Sequence, residues 1–315
     1  MKLATRVLLV AATLCLASGA PAQGRVVPAT SIENLVRKAK PGGIVKVPPG
    51  IYLEDVVIPE GVSLAGSGAN HTIIVGSLQL SGTLEIPVSL SQVTVIHTGG
   101  SSSSAVTCKS GTVKIRNSLL ISEGGFSAVA VGKASKGILH NNIIVGPVGD
   151  YAVFGRHEAR IEIVNNTIVV QGFGIGLMDQ TRAIIRNCLF YGDAKPAVIR
   201  TSSDYSISYS NISLTGGSFY FNYDLINNDI TLRHSAHYPN NPSPPDLSNK
   251  DSGKYESAGL TFLSHEHVKS RRINDYRQHQ PKFARHAGSP NKIDNNSDGS
   301  RNTLGAFGGP LGSRW

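Results

Sequence analysis

Between Ser101 and Gly216 this 315-residue chain repeats itself, and that repeat limits the folds open to it more than any other feature. The blocks are SSSSAVTCKSGTVKIRNSLLISEG, GFSAVAVGKASKGILHNNIIVGPV, GDYAVFGRHEARIEIVNNTIVVQG, FGIGLMDQTRAIIRNCLFYG and DAKPAVIRTSSDYSISYSNISLTG. An anchor sits near the end of each: Asn117, Asn141, Asn165, Asn187 and Ser210, at steps of 24, 24, 22 and 23 residues. A second anchor, a small residue at Ala128, Ala152, Gly174 and Ala197, precedes the first by 13 residues in the last four blocks. Short β-branched runs and turn residues at a period in the low twenties, without helical periodicity, predict a solenoid of strands.

Each coil then holds about three short strands, with equivalent residues stacked about 4.8 Å apart. Ile115, Leu139, Ile163, Ile185 and Ile207 supply an inward row. The Asn row fits a left-handed turn, which a short amide side chain tolerates, and stacked amides hydrogen-bond along the ladder. The LxxLxLxxN signature of leucine-rich repeats is missing. The fold class is all-β, a parallel β-helix.

Residues 1–22 have the make-up of a secretory signal: Lys2 and Arg6, an apolar run from Val7 to Leu16, and Ala20-Pro21-Ala22. The run is too short to span a bilayer, so export is expected, with a mature chain from Gln23. Removing Lys2 and Arg6 takes the formal charge from +9 to +7. Cys108 and Cys188 then remain, three coils apart, too far for a disulfide, and are expected to be buried thiols. Residues 30–96 read as the tapering first coils. Thr30 and Glu33 fit a capping box that opens a short helix over SIENLVRKAK, covering the first coil with Ile32, Leu35 and Val36. The regular repeats occupy 97–216. Residues 217–286 read as irregular, with a Pro/Asn/Ser-rich loop over 236–257, a basic stretch over 265–286 and an isolated His265/His267 pair. Residues 287–315 form a closing tail within the same domain.

The wording GGIVKVPPGIYLEDVVIPEGVSLAGSG resembles the N-terminal opening of right-handed parallel β-helix proteins of the pectate-lyase-like superfamily. The tail AGSPNKIDNNSDGSRNTLGAFGGP resembles the closing motif of bacterial secreted members. The resemblance implies a right-handed, single-stranded solenoid. It leaves activity open, because that superfamily is similar in architecture across lyases, esterases, hydrolases, epimerases, adhesins and tailspikes. The stacked aspartates of pectate lyases, the Asp-Asp and Gly-His-Gly motifs of polygalacturonases and the Asp and Gln-rich motifs of pectin esterases are not found here.

Counted from the small anchor, Lys136, Arg160 and Arg182 fall in one row on consecutive coils. Arg116, His140 and Arg186 form a second row just before the Asn anchors. Beside the first row lie Lys133, His157 and Asp179, then Glu158 and Gln180, with Asp204 on the next coil. Stacked cations repel and call for an anion or full solvation, so an anionic polysaccharide along this face is the expected partner. If the glycan is cleaved, a lyase would use His157, Arg160 or Arg182 beside a uronate, and a glycosidase would need Glu158 and Asp179 across the bond. Phe126, Tyr151, Phe154 and Phe173 read equally as sugar platforms or as packing. In the tail, Asp294, Asn296, Asp298 and Asn302 offer oxygens that could suit Ca²⁺, although capping of tight turns explains them better. Export and the lack of a nucleic-acid motif argue against nucleic acid; envelope-surface association fits the same cations. A structural or adhesive surface protein is the remaining class.

Overall fold

The computed structural model describes residues 31–83, 85–100, 102–192, 198–200, 203–208, 211–214, 220–222, 231–233, 288–289 and 291–315, with backbone alone over 191–233 apart from Ser203 and Tyr205. The export signal, the 236–257 loop and the basic 265–286 stretch with His265 and His267 lie outside the described residues, as does the Asp204 side chain.

Three parallel sheets run the length of a solenoid, with nine, eight and eight strands among the described residues. Each chain turn contributes one strand to each sheet. In a central coil these are Thr112–Arg116, Leu119–Ser122 and Ser127–Val131, and the next repeats them as Lys136–His140, Ile143–Val145 and Tyr151–Gly155. The inward row is in register through Ile115, Leu139, Ile163, Ile185 and Ile207. The first four are fully buried. Strands Tyr220–Asn222 and Thr231–Arg233 pair into the third and first sheets, so the backbone continues the repeat beyond Gly216, where sequence similarity fades.

A helix, α1 (Ile32–Arg37), covers the first coil with Ile32 and Val36 in the core and Leu35 packed against it. Its cap is Ser31, whose side chain accepts from the Asn34 N–H, one residue later than the Thr30 box expected from sequence. Glu33 is free of capping duty because Glu54 accepts from the Ile32 and Glu33 N–H groups; Glu33 pairs instead with Arg37 at 2.7 Å. Among the described residues, no helix is long and apolar enough to cross a membrane.

The corner between the first and second sheets is turned by Asn117, Asn141, Asn165 and Asn187, all with φ between 48° and 56°. This left-handed region costs an ordinary L-residue roughly 1–2 kcal/mol, and asparagine tolerates it. Stacked amides do bond along the axis, but at the following position. Asn166 Oδ1 accepts from both the N–H and Nδ2 of Asn142, and Asn142 Oδ1 accepts from the Ser118 N–H. Asn166 Nδ2 donates to the Leu139 and Val164 carbonyls.

The anchoring asparagines face outward instead and hold the tail. Asn187 Oδ1 accepts from the Ser289 N–H; Asn165 exchanges bonds with Asn302; Asn141 Nδ2 donates to the Ala306 and Gly308 carbonyls; Asn117 Nδ2 donates to Leu311 O. The tail therefore runs back along the solenoid as a strap. It lies over a second apolar cluster on the outside of the second sheet, formed by Ile96, Leu119, Ile121, Ile143, Val145 and Val169 with Ala306, against which Phe307 and Trp315 pack. This explains the uninterrupted apolar runs of that sheet, which is buried on both faces.

Cys108 and Cys188 are free and fully buried, as expected. Burial pushes both thiols up to about 12. The unfolded chain releases these protons near 9, so between the two values the folded state binds more protons and stability falls as pH rises. Both thiols should resist a disulfide-exchange reagent in the native protein and react fully in denaturant. A second expectation concerns the amide ladder. Asn166→Ala removes four bonds and strands buried partners, at a cost of about 3 kcal/mol, against about 1 kcal/mol for Ser118→Ala; urea unfolding of the two variants measures the difference.

Candidate functional site

Lys136, Arg160 and Arg182 begin successive strands of the first sheet and are paired residue for residue in its register. Strand alternation turns them outward: Ile161 and Ala183, next in sequence, are buried, while the three cations are exposed. They line an open depression of ≈ 450 Å³ with Glu162 and Ile184. Among the described residues none of the three cations forms an ion pair. Asp204 continues the row in register with Arg182.

The corner that delivers the chain to this row is made of two consecutive left-handed residues on each of three coils. These are Lys133-Ala134, His157-Glu158 and Asp179-Gln180, with φ between 51° and 63°. The corners stack through backbone bonds from Ala134 to His157 O and from Glu158 to Asp179 O. His157 Nδ1 lies 2.9 Å from Asp179 Oδ2, with both side chains about half exposed. The Asp179 carboxylate is thus committed to His157, and Glu158 occupies the corner position equivalent to Gln180. Glu158 and Asp179 are therefore offset by one residue on adjacent coils, joined by the backbone bond from the Glu158 N–H to the Asp179 carbonyl.

The second cationic row is interrupted. Arg116 is in register with His140, but the next position is Val164 before Arg186 resumes it. His140 Nε2 is 3.2 Å from Glu162 Oε1, and burial holds the imidazole below its ordinary value, against the pull of that carboxylate. Arg186 turns toward the strap and pairs with Asp294 at 3.2 Å. Of this row only Arg116 remains exposed and directed to solvent.

The tail oxygens are similarly engaged. Asp294 is buried against Arg186, and Asn296 Oδ1 accepts from the Thr303 and Gly309 N–H groups. Asp298 Oδ1 accepts from Ser300, and Asn302 bonds Asn165. These side chains serve separate turns of the strap. Most of these oxygens already accept from an arginine or from N–H and O–H donors, and among the described residues no cluster of three or more His, Cys, Asp or Glu is placed to hold a metal.

The four aromatic residues singled out in the sequence come together. Phe126, Tyr151, Phe154 and Phe173 converge at the third sheet, with ring centroids 4.6–5.4 Å apart. Tyr151 and Phe173 are paired in register, and Phe126 immediately precedes Ser127, the partner of Tyr151 one coil earlier. Phe126, Tyr151 and Phe173 are partly buried, so the rings form a ridge along three coils. Gly176 makes room for it, since a Cβ there would lie 2.5 Å from Tyr151 Cε1. The available signal was position: each of these three aromatics sits one or two residues before the small anchor.

The family model for a right handed beta helix region matches residues 94–250. The chain carries a right-handed β-helix. Solved structures similar to it include a pectin methylesterase from Aspergillus niger, 14% identical, with TM-score 0.48 over 69% of this chain and 86% of that one. A rice weevil pectin methyl esterase is 12% identical, with TM-score 0.43 over 72% and 93%. A pectin methylesterase from Yersinia enterocolitica is 14% identical, with TM-score 0.40 over 60% and 67%. No curated protein matches the chain in sequence.

The His157–Asp179 pair is a surface contact, and exposed ion pairs contribute little. Asp179→Asn should lower stability by no more than about 0.5 kcal/mol in urea unfolding. A loss several times larger would mean that Asp179 holds the corner itself.

Proposed function

We propose that this right-handed β-helix binds an anionic polysaccharide along its first sheet, outside the cell or at its envelope. The observation that carries this reading is the row Lys136–Arg160–Arg182, one exposed cation per coil on an open face. A row at the ~4.8 Å spacing of strands presents a regular line of charge, and a polymer with one carboxylate or sulfate per sugar is its natural complement. The depression is long and open rather than enclosed, which suits a chain that enters and leaves along the axis. Export, read from residues 1–22, would put the protein where such polymers are found. Binding is favoured over cleavage because Asp179 is engaged by His157 and the sequence carries none of the catalytic motifs of pectate lyases, polygalacturonases or pectin esterases.

The double variant Arg160→Ala/Arg182→Ala should weaken retention on an acidic glycan by roughly tenfold, about 1.4 kcal/mol shared between two exposed cations. It should also flatten the dependence on salt, because fewer screened contacts remain. Retention unchanged in affinity and salt response would refute the reading. Parallel assays for new reducing ends and unsaturated uronate report directly on cleavage.

A further inference from the structure

A serine–histidine pair lies beside the aromatic ridge. His97 ends the second-sheet strand Thr94–His97 and is 95% buried, the complement of its 5% exposure. Its ring is wedged between glycine backbones: a Cβ at Gly99 would lie 2.6 Å from His97 Cε1, and one at Gly125 would lie 2.6 Å from Cδ2. Only residues without a side chain allow this approach, and the ring is fixed as a result. Its Nε2 is 2.7 Å from the Oγ of Ser103, which is partly exposed. On the same side, Gly100 borders open space. Ser103 is joined to the ridge by the backbone bond from the Phe126 N–H to its carbonyl, 2.6 Å long. Ser103 therefore sits one coil before Phe126, at the end of the line through Phe126, Tyr151 and Phe173.

A histidine serving only the core is expected to have both ring nitrogens satisfied. Here Nδ1 is buried without a hydrogen bond of good geometry among the described residues, although the Gly76 carbonyl is near enough to act on the ring. Burial lowers the His97 pKa, opposed by the Asp55 charge and the Gly76 carbonyl, so the imidazole is a free base near neutrality. The Ser103 hydroxyl donates to Gly100 O at 2.8 Å and shares its second contact with His97 Nε2, where the tautomer sets which atom donates. A fixed neutral imidazole on the Oγ of an accessible serine is the arrangement that activates a serine nucleophile.

We propose that Ser103 and His97 hydrolyse small acyl esters carried on a sugar polymer laid along the Phe126–Tyr151–Phe173 ridge of the third sheet, a face other than the cationic first sheet; the inference rests on the reading above only for a polysaccharide partner. Ser103 Oγ attacks the ester carbonyl carbon as its proton passes to His97 Nε2. The bond to the sugar oxygen breaks, and that oxygen takes the proton from His97. Water then attacks the acyl-serine, gives its proton to His97, and the acid leaves as Ser103 recovers its hydrogen. The sum is ester and water to alcohol and acid, with no metal and no redox step.

The test incubates the full chain with 4-nitrophenyl acetate and with a chemically O-acetylated polysaccharide, measuring released nitrophenolate and acetate. In parallel, a fluorophosphonate probe labels active serines, and the labelled peptide is mapped by mass spectrometry. The expected result is release from both substrates and label on Ser103. Ser103→Ala, at a partly exposed position, should lose about 100-fold or more of the release, together with the label, and keep its circular dichroism spectrum and glycan retention. His97→Asn should lose both as well; a melting curve shows whether this buried variant is folded, and Ser103→Ala decides if it is not. Undiminished release or label in Ser103→Ala overturns the pair, as does a wild-type protein inactive on both esters while it still binds glycan. Cleavage of the small ester alone, or failure to bind any glycan, overturns the polymer substrate and leaves the pair standing.

Discussion

The structure depends on keeping every coil in register with the next, and the corner between the first and second sheets is where that register is enforced. A reversal there needs a left-handed residue, and asparagine fills it on four consecutive coils. Its neighbour then falls at the edge of the core, where the chain has polar backbone groups and no water. Ser118, Asn142, Asn166 and Cys188 occupy that second position, and the two amides bond each other and the carbonyls around them. A slip of one residue would put the amides into the hydrocarbon core and the isoleucine row into solvent. Placement of the cations, the corner charges and the aromatic ridge all follows from this one alignment.

The repeat was legible because the core demands the same residue type at the same height on every coil. That is why the isoleucine row and the cationic row Lys136–Arg160–Arg182 could be read from spacing alone. The second cationic row was less legible. Val164 breaks it, and whether His140 and Arg186 face solvent depends on Glu162 and on Asp294, the latter more than a hundred residues away. The strap was not legible as a strap. Its Asn and Asp residues do cap turns, as their spacing suggested, but nothing local to the tail tells where it lies. The clue was in the second sheet, whose apolar runs Leu119–Ser122 and Thr167–Val170 lack the alternation of a one-sided strand.

The chemistry-bearing residues divide the surface by physical character. The first sheet carries charge that remains solvated, the corner carries charges that meet in pairs, and the third sheet carries rings. The Ser103–His97 pair escaped the sequence because nothing in a spacing of six residues shows that the turn between them folds the serine back onto the ring. Its geometry is made by absences, the missing side chains of Gly99 and Gly125, which only the three-dimensional neighbourhood reveals.

The strap also changes what kind of object the solenoid is. A stack of coils in which each touches only its neighbours behaves as a one-dimensional chain, free to fray from either end. Here the strap bonds coils far away in sequence, as in the contact between Asn117 and Leu311, 194 positions apart. Four coils are clamped together by a segment that follows them in sequence, so their outer apolar face stays uncovered until that segment docks. Loss of one coil then disturbs the strap over all four, and unfolding becomes collective where a bare stack would unravel piece by piece.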